Sequence, residues 1–201
     1  MTKRPENNLE LIKRVLGADY LEHKIVRLVI EENFESDVSK ASVDLCDSDG
    51  NGRYTVDAEG VGMVDALTRA LLNRFSAEYK SLETIEFTGF SVSAKFDTKH
   101  VRSGSDAVGE VGLQVRNSEG KTFHFTDSSR SIASSAARAV LAAVEYFVNS
   151  ERAYITLYRA LQDAKDRDRP DLVGRYTREL SEVVKSTSYT EVIDRIRKEV
   201  E

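Results

Sequence analysis

The chain has a single cysteine, Cys46, among its 201 residues, so no intramolecular disulfide can form and the fold must be held by its own core. Apolar runs long enough to cross a bilayer are missing, which argues against a membrane protein. The opening segment Met1-Thr2-Lys3-Arg4-Pro5-Glu6-Asn7-Asn8 has no apolar stretch behind it of the kind a secretory signal needs, so a cytoplasmic location is expected. Positive charge is not in excess either. A formal net charge of -5 argues against the phosphate-contacting surface that nucleic-acid binding requires. The three histidines, His23, His100 and His124, show neither His-x-His nor His-x-x-x-His spacing and have no cysteine cluster beside them, so no metal site is expected. What is present is enough chain for one domain with appendages, able to bury about 70% of the surface its unfolded form exposes.

Periodicity divides that chain into strands and helices. Residues 9–16 read as a short helix stopped by Gly17. Residues 24–31 carry Ile25, Val26, Leu28, Val29 and Ile30, and their β-branched share favours a strand over a continued helix. Residues 41–46 and 53–58 alternate as a hairpin, across a turn in which Gly and Asn supply positive φ. A helix over 63–79 places Val64, Leu67, Leu71, Phe75 and Tyr79 on one stripe. Residues 82–96 then alternate as one strand broken near Gly89, and 108–115 and 121–126 form a second hairpin across Asn117-Ser118-Glu119-Gly120. An alanine-rich helix starts among Ser128, Ser129 and Ser131 and continues past Tyr154 to about residue 164. Asp166-Arg167-Asp168-Arg169 breaks it, Pro170 fits the first turn of the next helix, and Val192, Ile193, Ile196 and Val200 mark a last short one.

Both halves therefore read as βββα. Val43 and Val111, Leu45 and Leu113, Gly52 and Gly120, Arg53 and Lys121, and Val64 and Ile132 share one offset of 68 residues, as 111 minus 43 shows. The expected fold class is α+β: duplicated βββα units with pseudo-two-fold symmetry, plus a C-terminal helical extension. The division is an N-terminal helical segment 1–22, a domain 23–154 with units of about 23–80 and 82–150, and the extension 155–201. Such a pair of units is expected to bring two helix N-termini to one shared cleft.

Candidate chemistry is sparse. Asp47, Asp49, Asn51 and Gly52 match the start of an EF-hand loop, but Ala58 stands where the bidentate Glu belongs and the flanks read as strands, so a hairpin turn is the expectation. Cys46 reads as a small buried hydrophobe in mid-strand, and the three serines read as helix caps. No catalytic constellation assembles. The turn at Gly60 and Gly62 has two readings: a tight connection in which Gly supplies a permitted φ, or helix-start amides aimed at an anion.

The run Gly60-Val61-Gly62-Met63-Val64-Asp65-Ala66, the later Gly104-Ser105-Asp106-Ala107-Val108-Gly109-Glu110-Val111 and the Ala133-Ser134 pair occur in an order that resembles the C-terminal allosteric (dimerisation) domain of the isopropylmalate synthase and citramalate synthase family. The resemblance covers about residues 23–150. Met63 stands in place of that family's proline and Arg138 in place of a tyrosine. It implies a homodimer that binds a feedback amino acid such as leucine or isoleucine. Gly60, Gly62 and Ala66 would shape one wall, and Gly104, Ser105, Asp106 and Ala107 another. Helix-start amides would hold the effector carboxylate, and Asp106 or backbone carbonyls its ammonium. No cofactor is implied. The family's catalytic barrel and its His-x-His metal pair are absent, so the expectation is a regulatory domain and not an enzyme, acting on a separately encoded synthase, without nucleic acid or membrane. A structural dimerisation module without ligand, and a small-metabolite enzyme using the same cleft, are the alternatives.

Overall fold

The computed structural model describes residues 8–94 and 108–187, together with Asp194. After helix α1 (Asn8–Leu16), whose C-terminal Gly17 has φ 53° as a helix stop requires, a single 3-10 turn leads into the first unit. That unit comprises β1 (His23–Asn33), β2 (Val38–Asp47), β3 (Tyr54–Gly60) and α2 (Met63–Phe75). The second comprises β4 (Glu86–Ala94), β5 (Gly109–Arg116), β6 (Thr122–Ser129) and α3 (Ile132–Asp166), followed by α4 (Pro170–Thr187). Each unit is its own antiparallel sheet, ordered β1-β2-β3 and β4-β5-β6. The α+β duplication stands. The last helix expected around Val192 to Val200 falls outside the described residues, apart from Asp194.

Alternation decides which sheet face is covered. Ala41, Val43 and Leu45 of β2 and Val111, Leu113 and Val115 of β5 all point inward and are buried. α2 lies over β2 and β3, α3 lies over β5 and β6, and the two helices pack on each other, so both units share one core. Regular helix ends at Phe75 rather than Tyr79, because Glu78 and Tyr79 both return their amides to the Phe75 carbonyl.

The 68-residue offset does not hold throughout. Leu28 pairs with Val43 and Val92 with Val111, separations of 15 and 19 residues, so the first connection of unit two is four residues longer. Across the hairpins, Val43 faces Val56 while Val111 faces Asp127, an offset of 71 in the third strand. The helix starts, Gly62 and Ser131, differ by 69. Insertions in loops and bulges absorb these differences. One bulge lies between Ile25 and Arg27 and another between Phe87 and Gly89, the latter being the break expected near Gly89.

The turn chemistry differs from expectation in one detail. Gly50 (φ 89°) and Gly52 (φ 60°) supply the left-handed conformations of the first hairpin, and Asn51 does not. Asn51 instead bonds both Asp49 oxygens, from its amide at 3.1 Å and from Nδ2 at 2.8 Å, so the calcium-like string closes a β-turn. Cys46 is buried in β2. Ser131 is the helix cap, accepting from the Ser134 amide at 3.2 Å, while Ser129 Oγ bonds Ser135 Oγ at 2.8 Å.

α3 carries 35 residues in one piece across residue 154, and α1 and α4 pack against it. Three buried polar side chains along it pin segments of chain elsewhere. Glu145 accepts from the His23 amide at 2.6 Å, and Asn149 both accepts from and donates to the Leu21 backbone at 2.8 Å. Glu151 accepts from the Ser81 amide at 2.7 Å. These bonds fix where β1 begins and how the chain enters β4, and each satisfies a backbone group that burial would otherwise penalise.

Candidate functional site

At the end of β3, Gly60 is buried against the start of α2. A Cβ there would sit 2.5 Å from the Ala66 amide nitrogen and 2.9 Å from the Asp65 carbonyl carbon, so only glycine fits. Neither Gly60 nor Gly62 uses a left-handed φ, which corrects the conformational reason for the turn. Close approach explains Gly60. Nothing within 4 Å would meet a Cβ on Gly62, which leaves that glycine without a packing reason. Asp65 reaches back from the third helical position: Oδ2 accepts from the Val61 amide at 3.0 Å and Oδ1 from Arg69 Nε at 3.0 Å. The helix start thus already has an anionic partner from its own chain. Ala66 is fully buried in the core, whereas Val61 is 83% exposed. Gly104, Ser105, Asp106 and Ala107, the second predicted wall, lie outside the described residues.

The helix starts do not meet in one cleft. They open into two separate grooves related by the internal symmetry. One, of about 620 Å³, lies between β1 and the N-terminal part of α3; the other, of about 440 Å³, lies between β4 and the N-terminal part of α2. Equivalent positions line both: Asp65 and Thr68 in one, Ser134 and Ala137 in the other, each pair 69 residues apart. Each first strand therefore faces the helix of the opposite unit.

Side-chain chemistry separates the grooves. The β4 groove is mainly apolar, with Val64, Phe87, Phe90 and Leu113 beside Asp65, Thr68 and Thr88. Phe90 and Val92 share the inward face of the sheet with the buried Leu113 and Val111, yet they are 42% and 49% exposed, and among the described residues no helix covers them. In the β1 groove the Arg138 guanidinium grips Asp127, Nε to Oδ1 at 3.0 Å and Nη2 to Oδ2 at 2.7 Å, which holds the aspartate below the usual carboxylate range. Glu145, 9% exposed, lies in the same groove. Its carboxyl is pushed above the usual range by burial, against the lowering effect of His23, whose Nδ1 lies 3.0 Å from Oε1. Sequence reasoning did not single out His23 or Glu145 as a pair; a lone acid inside an otherwise apolar helical stripe was the available signal.

Among the described residues no group of three or more His, Cys, Asp or Glu side chains comes together as a metal site would require, and no helix is long and apolar enough to cross a membrane. With the repeat, its paired motifs and this geometry in place, the comparison with known families is decisive. A model of the LeuA allosteric (dimerisation) domain matches residues 9–148, well over half of the chain. The chain belongs to the LeuA allosteric (dimerisation) domain family. No curated protein matches it. The matched LeuA span begins inside α1 and ends within α3, so α1 lies almost wholly within it and α4 beyond it.

Proposed function

We propose that the chain is a regulatory domain that self-associates and binds a branched-chain amino acid such as leucine or isoleucine, or a similar small metabolite, to control the synthase with which it associates. The observation that carries this reading is the uncovered inward face of β4, where Phe90 and Val92 remain exposed. Sheet faces of that kind are ordinarily buried, and a second copy supplies the missing layer without any other partner. Membership of a family described as an allosteric dimerisation domain supports the same reading. Control would follow from differential binding: an effector preferring one arrangement of two copies shifts the population toward it.

The effector seat implied by the sequence motifs is the glycine-turn set, Gly60, Gly62 and Ala66 with Gly104, Ser105, Asp106 and Ala107. Sedimentation equilibrium and calorimetric titration with leucine, isoleucine and valine test the proposal together. A monomer at micromolar concentration with no heat from any of the three would defeat it. A second reading, a dimerisation module without ligand, is favoured by Asp65, whose carboxylate occupies the Val61 amide that an effector carboxylate would need. A dimer that stays silent in every titration is the outcome that reading requires.

A further inference from the structure

The groove between β1 and α3 lies apart from the glycine turn at Gly60 and has a chemistry of its own. Its most deeply buried acid is Glu145, and both of that side chain's hydrogen-bonding contacts, with the His23 amide and with His23 Nδ1, fall on Oε1. Among the described residues, Oε2 has no hydrogen-bond partner. A largely buried carboxylate is stabilised by a hydrogen-bonding cation in addition to the His23 ring, and an ammonium group is the compact form of such a cation. Beside it, Ile25, Leu28, Leu141 and Ala142 supply an aliphatic wall. Nearer the surface, Arg138 spends Nε and Nη2 on Asp127, and Nη1 makes no hydrogen bond among the described residues. Beside His23, the groove's acids and bases are equal in number, with Glu22, Asp127 and Glu145 against Lys24, Arg27 and Arg138. That balance suits a ligand bearing both signs.

The spacing of the two ends restricts which ligand fits. Arg138 and Glu145 are seven residues apart on one helix, about 10 Å along its axis. A leucine-like molecule has its ammonium and carboxylate on the same carbon, so placing the ammonium on Glu145 would bring its carboxylate against a buried like charge. A molecule whose charges are separated by a straight aliphatic chain avoids this conflict. We propose that this groove binds a straight-chain diamino acid of the lysine or ornithine kind, with its terminal ammonium on Glu145 Oε2, its methylenes on Leu28, Leu141 and Ala142, and its carboxylate toward Arg138. The volume of about 620 Å³ lies within the range of small-molecule sites, about 300–1,000 Å³.

The test uses the full chain and four probes: L-lysine, L-ornithine, L-norleucine and L-leucine, followed by calorimetry and by thermal shift at millimolar ligand. Norleucine keeps the aliphatic stem and lacks the terminal ammonium. Lysine or ornithine is expected to bind at least tenfold more tightly than norleucine. Ala142→Phe fills the groove from an exposed position on α3 and is expected to abolish that binding while leaving the melting temperature of the free chain within a few degrees. Glu145→Gln keeps an oxygen for the His23 amide, so it is expected to reduce lysine affinity at least tenfold and leave norleucine unaffected. Equal binding of lysine and norleucine overturns the proposal, as does no binding of either diamino acid at millimolar concentration, or lysine binding that survives Ala142→Phe. Leucine binding that survives Ala142→Phe places the branched-chain effector elsewhere and leaves the regulatory reading intact.

Discussion

The two βββα units share a backbone plan and differ in almost everything that gives a surface its chemistry. Unit one starts its helix on Gly62, with no side-chain cap, and recruits Asp65 from inside the helix; unit two starts on Ser131, whose hydroxyl does the capping. Arg69 and Arg138 occupy equivalent positions, 69 residues apart, and each holds an aspartate at 3.0 Å through Nε. The aspartate has moved: Asp65 sits on the arginine's own helix, Asp127 on a neighbouring strand. One groove became aromatic and the other charged. Duplication preserved the elements that fill the core and released the positions on the grooves, so symmetry predicts where a site lies and not what it binds.

Substitutions at equivalent positions sharpen this contrast. Phe75 in α2 and Val144 in α3 are equivalent and both buried in the shared core. Phe75→Ala is expected to cost about 3–5 kcal/mol in denaturant unfolding, against about 1.5–3 kcal/mol for Val144→Ala. A single cooperative transition in both variants would support one core, and a biphasic curve would separate the units. Gly60→Ala comes next, at about 1–3 kcal/mol, because the added methyl meets backbone that cannot retreat.

The acid limb of a pH–stability profile distinguishes two carboxyls of unit two. Asp127 is held below its usual range by Arg138, so its contribution is present at neutral pH and is lost as pH falls through its lowered value. Glu145 is held above its usual range by burial, so its contribution is full below the unfolded pKa and is lost as pH rises through the raised value. Melting temperatures across the acid range should show Asp127→Asn removing a loss of stability on acidification and Glu145→Gln removing an opposing gain. The same slope in both variants would contradict the assignment. The smallest effect is expected at Gly62→Ser, which gives unit one the cap of unit two and should add a few tenths of a kcal/mol.

Much of this architecture was legible in residue order. The βββα pattern followed from alternation giving way to helical spacing, and Gly17 and Pro170 marked a helix end and a helix start that the structure reproduces. The 68-residue offset holds only for the central strands β2 and β5, because residues inserted at a bulge, turn or loop leave no hydrophobic signature. The site was harder to see. The close approach at Gly60 depends on where a helix lies in space, so a permitted φ was not the reason that the structure gives for glycine there. His23 and Glu145 are 122 residues apart, and no periodicity brings them together. The single shared cleft failed because each first strand opens across its own groove toward the opposite unit's helix, an arrangement that neither unit's own sequence encodes.

The continuity of α3 has a mechanical consequence. At about 1.5 Å per residue its 35 residues form a spar about 50 Å long. One end lines the charged groove, and the other carries α4. With no break in the backbone between them, a tilt of a few degrees imposed by whatever fills the groove acts through a long moment arm. A movement of ångström size at one end becomes a displacement that a docked neighbour can read at the other.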